Sequence, residues 1–264
     1  MSHVSYSEIK IWKECSWKHK LLYLDKLKGF KGNEYTAFGT AIHSTYEKVL
    51  LEEKINEKEY FQSKFLEELK ELPEEVKNNL NKKLVEDLRK QGDTLASLSM
   101  NALKDYFGNF EVVSVEEQLY EPIKTFLKEE HDFNFKGFID LVLKTDDGKY
   151  HIIDWKTCSW GWDSRKKTDK MITYQLTFYK YYFALKHDID PKNIETYFGL
   201  VKRTAKKNNI ELFRTTSGPK KTENAIKFLN KVIYNINKSV YVKNKLSCHG
   251  MYGTCEFYKT EHCI

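Results

Sequence analysis

Asp140, Asp154 and Lys156 are residues whose types and spacing can do chemistry together. The run from Tyr150 to Lys156 is rich in β-branched and aromatic residues and reads as a strand. Alternate residues of a strand share a face, so Tyr150, Ile152, Asp154 and Lys156 point one way while His151, Ile153 and Trp155 point the other. Asp146-Asp147-Gly148 separates this strand from another, Phe133 to Lys144. A three-residue loop with Gly148 in the left-handed conformation sets Thr145 against Lys149 and brings Asp140 opposite Asp154; a two-residue turn would pair Asp140 with Trp155 and part the carboxylates. Two opposed carboxylates can hold a hard divalent cation such as Mg²⁺ or Mn²⁺, and a water on that ion can become a nucleophile. The lysine can orient that water or offset charge developing on a phosphate. The three residues alone also fit an ion pair on an exposed strand face, so the surrounding elements must decide.

Those elements fall in a readable order. Ser5 to Leu27 has helical character with Ser5 or Ser7 as its cap, a second helix covers Thr36 to Glu53, and lysine- and glutamate-rich helices continue from Asn56 to Gly108, one of them opened by Pro73. Glu111 to Glu121 reads as the strand before the hairpin. Helical spacing returns from Lys170 to Lys186, Thr196 to Lys202 and Ile210 to Thr215 read as strands, and a helix runs from Thr222 to about Asn237. Strands bracketed by helices imply an α/β fold with a central mixed β-sheet flanked by helices and a helical N-terminal region. The expected organisation is one domain over 1–264, with a helical part at 1–110, a catalytic core at 111–240 and a cysteine-bearing tail at 241–264.

Two helical pairs belong to the same argument. Gly39 and His43 are four apart, so the glycine leaves room beside the histidine for sheet or substrate. Gln175 and Tyr179 also share a helical face, where an amide and a phenol can hydrogen-bond catalytic groups or a DNA phosphate. Tyr174, Phe178, Tyr182 and Phe183 beside them read as core aromatics.

Taken in order, these pieces resemble the RecB-like nucleases of the PD-(D/E)XK superfamily, which include phage and bacterial recombination exonucleases. Gly39-Thr40-Ala41-Ile42-His43 resembles the family's G-x-x-x-H helix, Gly137 to Asp140 its G-x-x-D, Asp154 to Thr157 its D-[WY]-K-T, and Gln175-x-x-x-Tyr179 its Q-x-x-x-Y. The resemblance implies a restriction-endonuclease-like core and a metal held by His43, Asp140, Asp154 and the carbonyl of Trp155, with Lys156 catalytic and Gln175 and Tyr179 in the site. Glu117, on the strand before the hairpin, is a candidate supporting carboxylate. Several such nucleases carry an iron–sulfur cluster held by one cysteine in the first helix and three near the C-terminus. Cys15, Cys248, Cys255 and Cys263 match those places and imply a cluster of the 4Fe-4S kind, leaving Cys158 out. The tail spacing, with six and then seven residues between cysteines, departs from the family's common C-x-x-C-x5-C, and four-thiolate zinc stays open as the alternative.

Charge points to the partner. Net charge is +6, yet Gly199 to Leu246 alone holds twelve Lys/Arg against Glu211 and Glu223. Such a concentration suits a polyanion, and Lys202, Arg203, Lys206 and Lys207 are expected to meet DNA phosphates. Aromatics at 14% with few prolines and glycines exclude disordered and collagen-like classes, and the apolar runs are too short for a membrane helix. The expectation is a cytoplasmic, Mg- or Mn-dependent deoxyribonuclease, an exonuclease of DNA recombination or repair, with a single-strand annealing protein as a possible partner. The alternatives are a structure- or strand-specific endonuclease and a non-catalytic DNA-binding protein on a nuclease fold.

Overall fold

The computed structural model describes residues 2–124, 132–250 and 253–264. In chain order the elements are β1 (Ser2–Ser5), α1 (Tyr6–Glu14), α2 (Ser16–His19), α3 (Glu34–Leu50), α4 (Glu57–Glu71), α5 (Glu74–Lys77), α6 (Lys82–Leu95), α7 (Ser99–Phe107), β2 (Phe110–Pro122), β3 (Phe133–Thr145), β4 (Tyr150–Cys158), α8 (Ser164–Thr168), α9 (Lys170–His187), β5 (Ile194–Lys202), β6 (Ile210–Arg214), α10 (Pro219–Asn237), β7 (His249–Gly250) and β8 (Gly253–Thr254). The sheet is mixed and flanked by helices, as the alternation of patterns requires. Among the described residues no helix is long and apolar enough to cross a membrane.

The chain groups into two compact units, residues 31–118 with 138–217, and residues 1–30 with 119–137 and 218–264. In the larger unit β3 runs antiparallel to β4, β4 parallel to β5 and β5 antiparallel to β6. Consecutive residues of β4 reveal the layering. Trp155 packs edge-on against Tyr46 of α3, at 5.2 Å between ring centroids, while Asp154 accepts a hydrogen bond from Gln175 of α9. Successive strand residues face opposite sides, so α3 and α9 cover opposite faces of the sheet. On the α3 side, Phe38, Phe61 and Phe65 interlock as an aromatic core with Ile42, Leu88, Leu103 and Val201. Such burial stabilises by roughly 1.5–3 kcal/mol per large side chain.

Local chemistry sets the ends of the two helices that flank the site. Asn33 caps α3 by accepting from the Tyr35 and Thr36 N–H groups, with Thr36 Oγ1 returning the bond to the Asn33 N–H. Asp169 caps α9 through the Ile172 N–H. The β3–β4 turn has the expected geometry: the Gly148 N–H donates to the Thr145 carbonyl, the Thr145 N–H to the Lys149 carbonyl, and Gly148 has φ +80°. A side chain there would be strained, which ties the register to the glycine.

In the smaller unit β1 lies parallel to the start of β3, with Val4 opposite Phe135. This short strand is absent from the sequence reading, because four residues with one buried position show no alternation. The predicted helix over Ser5 to Leu27 is interrupted. Ser5 does cap α1, but Cys15 adopts an extended φ of −159°, α2 follows for a single turn, and Lys20 to Leu24 closes as a π-helical turn.

Candidate active site

The site lies where β3 and β4 diverge. Leu141 faces Ile153 at the last paired step, and Asp140 and Asp154 follow at the next. Here side chain replaces ladder: Asp140 Oδ2 accepts the Trp155 N–H at 2.7 Å. His43 of α3 brings Nδ1 to 3.6 Å from the same oxygen, too long for a hydrogen bond, and its ring also meets the Trp155 carbonyl. Both backbone polar groups of Trp155 therefore open onto the site while its indole anchors the opposite face. Gly39, one turn before His43, faces Thr157, and a Cβ there would meet Thr157 Oγ1 at 3.4 Å, close to an ordinary contact.

Asp154 is enclosed, with 2% of its side chain exposed. Its Oδ1 accepts from Gln175 Nε2 at 2.8 Å, and its Oδ2 is ion-paired with Lys156 Nζ at 2.6 Å. Gln175 Nε2 also donates to the Tyr179 hydroxyl at 3.1 Å, so amide and phenol act from one face of α9. The seven residues singled out in the sequence, His43, Asp140, Asp154, Trp155, Lys156, Gln175 and Tyr179, thus form one connected group within the larger unit.

One residue was missed. Glu116 of β2 has φ +50°, rare for a residue other than glycine, and its carboxylate lies at the site. Ligand atoms of His43, Glu116 and Asp140 all lie within 4.8 Å of one another. Asp154 lies outside this compact three, engaged by Lys156 and Gln175. Glu117, the expected supporting carboxylate, instead pairs with Lys186 at 2.8 Å and His187 at 2.5 Å. The tandem Glu116-Glu117 was the only signal in the sequence, and regular alternation gives no means to choose the member that lies at the site.

The electrostatics are those of crowded anions. Burial pushes Asp140 and Asp154 each up to about 6, against the pull of Lys156 and, for Asp140, of the Trp155 N–H. Glu116 is exposed as a residue, yet partial burial of its carboxyl and the nearby Asp140, Glu47 and Asp154 push it to about 7. Burial, reinforced by the Lys156 charge, holds His43 down at about 4, so its imidazole is neutral at physiological pH. Burial opposes the charge on Lys156, but Asp154 and Asp140 outweigh it and raise its pKa. A neutral imidazole beside repelling carboxylates, with a cation already in place, suits a divalent ion and an anionic substrate.

A mixed sheet that carries two carboxylates and a lysine on adjacent strands, faced by a histidine from a packed helix, defines a nuclease-type core. The chain belongs to the PD-(D/E)XK nuclease superfamily, whose family model matches residues 3–259. Nucleases of this superfamily use divalent metals. Among solved structures, one described as "Putative exonuclease" from Eubacterium rectale superposes with a TM-score of 0.57 at 10% identity, over 93% of this chain and 85% of that one. A second, described as SSO0001, gives a TM-score of 0.34 at 14% identity over 62% of this chain and 69% of that one. No curated protein matches by sequence.

The basic stretch is not one charged face. Lys202 is paired with Glu211 at 3.3 Å, and the Arg203 guanidinium stacks over Tyr35 while bonding Gln91 and Ser159. Both are partly buried in these local contacts, while Lys206 and Lys207 are exposed.

In the smaller unit, Cys15, Cys248, Cys255 and Cys263 line one cleft with Trp17, Lys18 and Phe257. The Cys15 sulfur accepts from the N–H groups of Lys18 and Asn244 at 3.5 and 3.4 Å, and the Phe257 N–H reaches the Cys255 sulfur. Cys158 lies in the other unit.

Proposed function

We propose that this protein is a metal-dependent deoxyribonuclease of the RecB-like type, an exonuclease that hydrolyses phosphodiester bonds in DNA recombination or repair. The observation that carries the reading is the group formed by His43, Glu116 and Asp140 with the buried Asp154–Lys156 pair beside it. His43, Asp140, Glu116 and the Trp155 carbonyl would hold the ion, with Asp154 alongside. A bound Mg²⁺ or Mn²⁺ would supply a water acidic enough to serve as nucleophile and would polarise the phosphate. Lys156 places a positive charge where a phosphate's negative charge grows and can hold the attacking water. Gln175 fixes the rotamer of Asp154, and Tyr179 fixes Gln175. The exonuclease description of the structural neighbour from Eubacterium rectale agrees with this reading. End-labelled linear DNA incubated beside covalently closed circles, with Mg²⁺ or Mn²⁺, tests it: linear DNA should be consumed from its ends while circles persist. Cutting of circles would favour the endonuclease reading, and binding without cleavage the non-catalytic one.

The same reading assigns Cys15, Cys248, Cys255 and Cys263 to an iron–sulfur cluster. Its support is the common cleft and the N–H groups aimed at sulfur, which stabilise thiolate ligands. A 4Fe-4S cluster and a four-thiolate zinc ion are told apart by their iron and sulfide content. Iron and sulfide analysis of anaerobically purified, brown protein tests the assignment.

A further inference from the structure

Trp160 is 80% exposed and follows the catalytic strand by two residues. An indole so open to water forgoes the burial that places most tryptophans inside. Its loop is nevertheless firmly tied. The Arg203 N–H donates to the Cys158 carbonyl and the Thr204 N–H to the Ser159 carbonyl, each at 2.9 Å. Arg203 Nη2 donates to Ser159 Oγ, and the Thr204 hydroxyl to the Ser159 carbonyl. Gly161, at φ +123°, turns the chain directly after the exposed ring in a conformation closed to other residues. Trp162 then folds back onto Phe198 and Phe213 with Lys166 over its ring. Of two tryptophans in one braced loop, one is packed and the other is presented.

The surroundings state what it is presented to. Segments 159–170 and 202–211, which these bonds join, contain eight Lys/Arg and three acids. Two of the acids, Asp163 and Asp169, cap helices, and Glu211 is held by Lys167 and Lys202. Arg165, Lys206 and Lys207 are exposed and make no ion pair among the described residues. Trp160 is four positions after Lys156, so their Cα atoms are at most about 14 Å apart. An exposed aromatic ring on a rigid support, with unpaired cations beside it, is the means by which proteins grip unpaired nucleotides: the ring stacks on a base and the cations track the backbone. A duplex offers no free base face except at its terminal pair.

We propose that Trp160 is a base-stacking residue that holds an unpaired nucleotide of the DNA strand next to the scissile site. The inference rests on the nuclease reading for its substrate, but its test does not require turnover. Full-length protein in EDTA, where metal-dependent cleavage is blocked, is titrated with a single-stranded oligonucleotide and with a blunt duplex of equal length. Trp160→Ala should weaken single-strand binding about tenfold, leave the slope of log affinity against log salt unchanged, and barely alter duplex binding. Trp160→Phe should restore most of the affinity, and both variants should keep the parent melting temperature because the ring is outside the core. Unchanged single-strand affinity in Trp160→Ala, or an equal loss for blunt duplex, would overturn the proposal even if the protein proves to be an active nuclease. Conversely, Trp160-dependent binding without metal-dependent cleavage would retain the stacking site and remove the nuclease reading.

Discussion

Lys156→Met removes one charge from the candidate site and keeps most of the side chain's volume, and its two consequences can be separated. The first is on stability. Lys156 Nζ lies 2.6 Å from Asp154 Oδ2, and Asp154 is enclosed, so the variant leaves a buried carboxylate without its cation. Breaking such a pair is severe when the remaining charge must persist. Asp154 has an escape, because burial already raises it to about 6 in the parent. Once unpaired it takes up a proton, and at pH 7.5 the added cost is bounded by that protonation, about 1.5 pH units or roughly 2 kcal/mol. For a chain of this size that lowers the melting temperature by about 4–8 °C. The sign follows from linkage: Asp154 is raised in the folded state, the folded state binds the extra proton, and the destabilisation shrinks as pH falls toward 6. The second consequence is on rate. Loss of the cation beside the phosphate should reduce cleavage by on the order of 10² to 10³, far more than partial unfolding at 25 °C could cause. Circular-dichroism melts of metal-free protein at pH 7.5 and 6, with single-turnover cleavage of end-labelled DNA, measure both. Cleavage near the parent rate refutes the role of Lys156. A melting deficit that is the same at both pH values refutes the protonation argument.

Glu116→Gln should weaken Mn²⁺ binding about tenfold or more by calorimetry, while Glu117→Gln, at a carboxylate held by Lys186, His187 and Ser114 and outside the metal group, leaves metal affinity unchanged; equal effects would remove Glu116 from the metal group. Because Asp140, Asp154 and Glu116 are all raised when folded, these three carboxyls should contribute less stability as pH rises from about 4 to 7, with the depressed His43 opposing them over the same range, and Mn²⁺ should raise the melting temperature more at pH 8 than at pH 6. Cys15→Ala should bleach anaerobically purified protein and lower its melting temperature more than Cys158→Ala does, since Cys15 faces tail cysteines more than 230 positions away and Cys158 does not line that cleft. Lys206→Ala with Lys207→Ala should weaken binding to every sequence and flatten the salt slope by about 1.4 for single strands; an unchanged slope would show that this loop faces away from DNA.

What the sequence determined by itself is whatever neighbours along the chain decide. The Asp-Asp-Gly turn narrows the hairpin to a two- or a three-residue loop, and the three-residue loop that forms carries Asp140 to Asp154. Two-residue alternation places Asp154 and Lys156 on one face, and a four-residue helical repeat places Gln175 beside Tyr179. Tertiary structure decided the rest. Glu116 joins His43 and Asp140 from a separate strand and with a left-handed backbone, and no periodicity reports either fact. The local partners of Lys202 and Arg203, which are Glu211 for the first and Tyr35, Gln91 and Ser159 for the second, are distant in sequence or across a strand and appear only in the fold. The cysteine spacing named four candidate ligands, but only folding brings Cys15 to a tail at the other end of the chain. Trp160 is legible in neither turn nor repeat, because exposure belongs to a residue's neighbours in space, and the bonds that hold its loop come from Arg203 and Thr204, in the turn after β5.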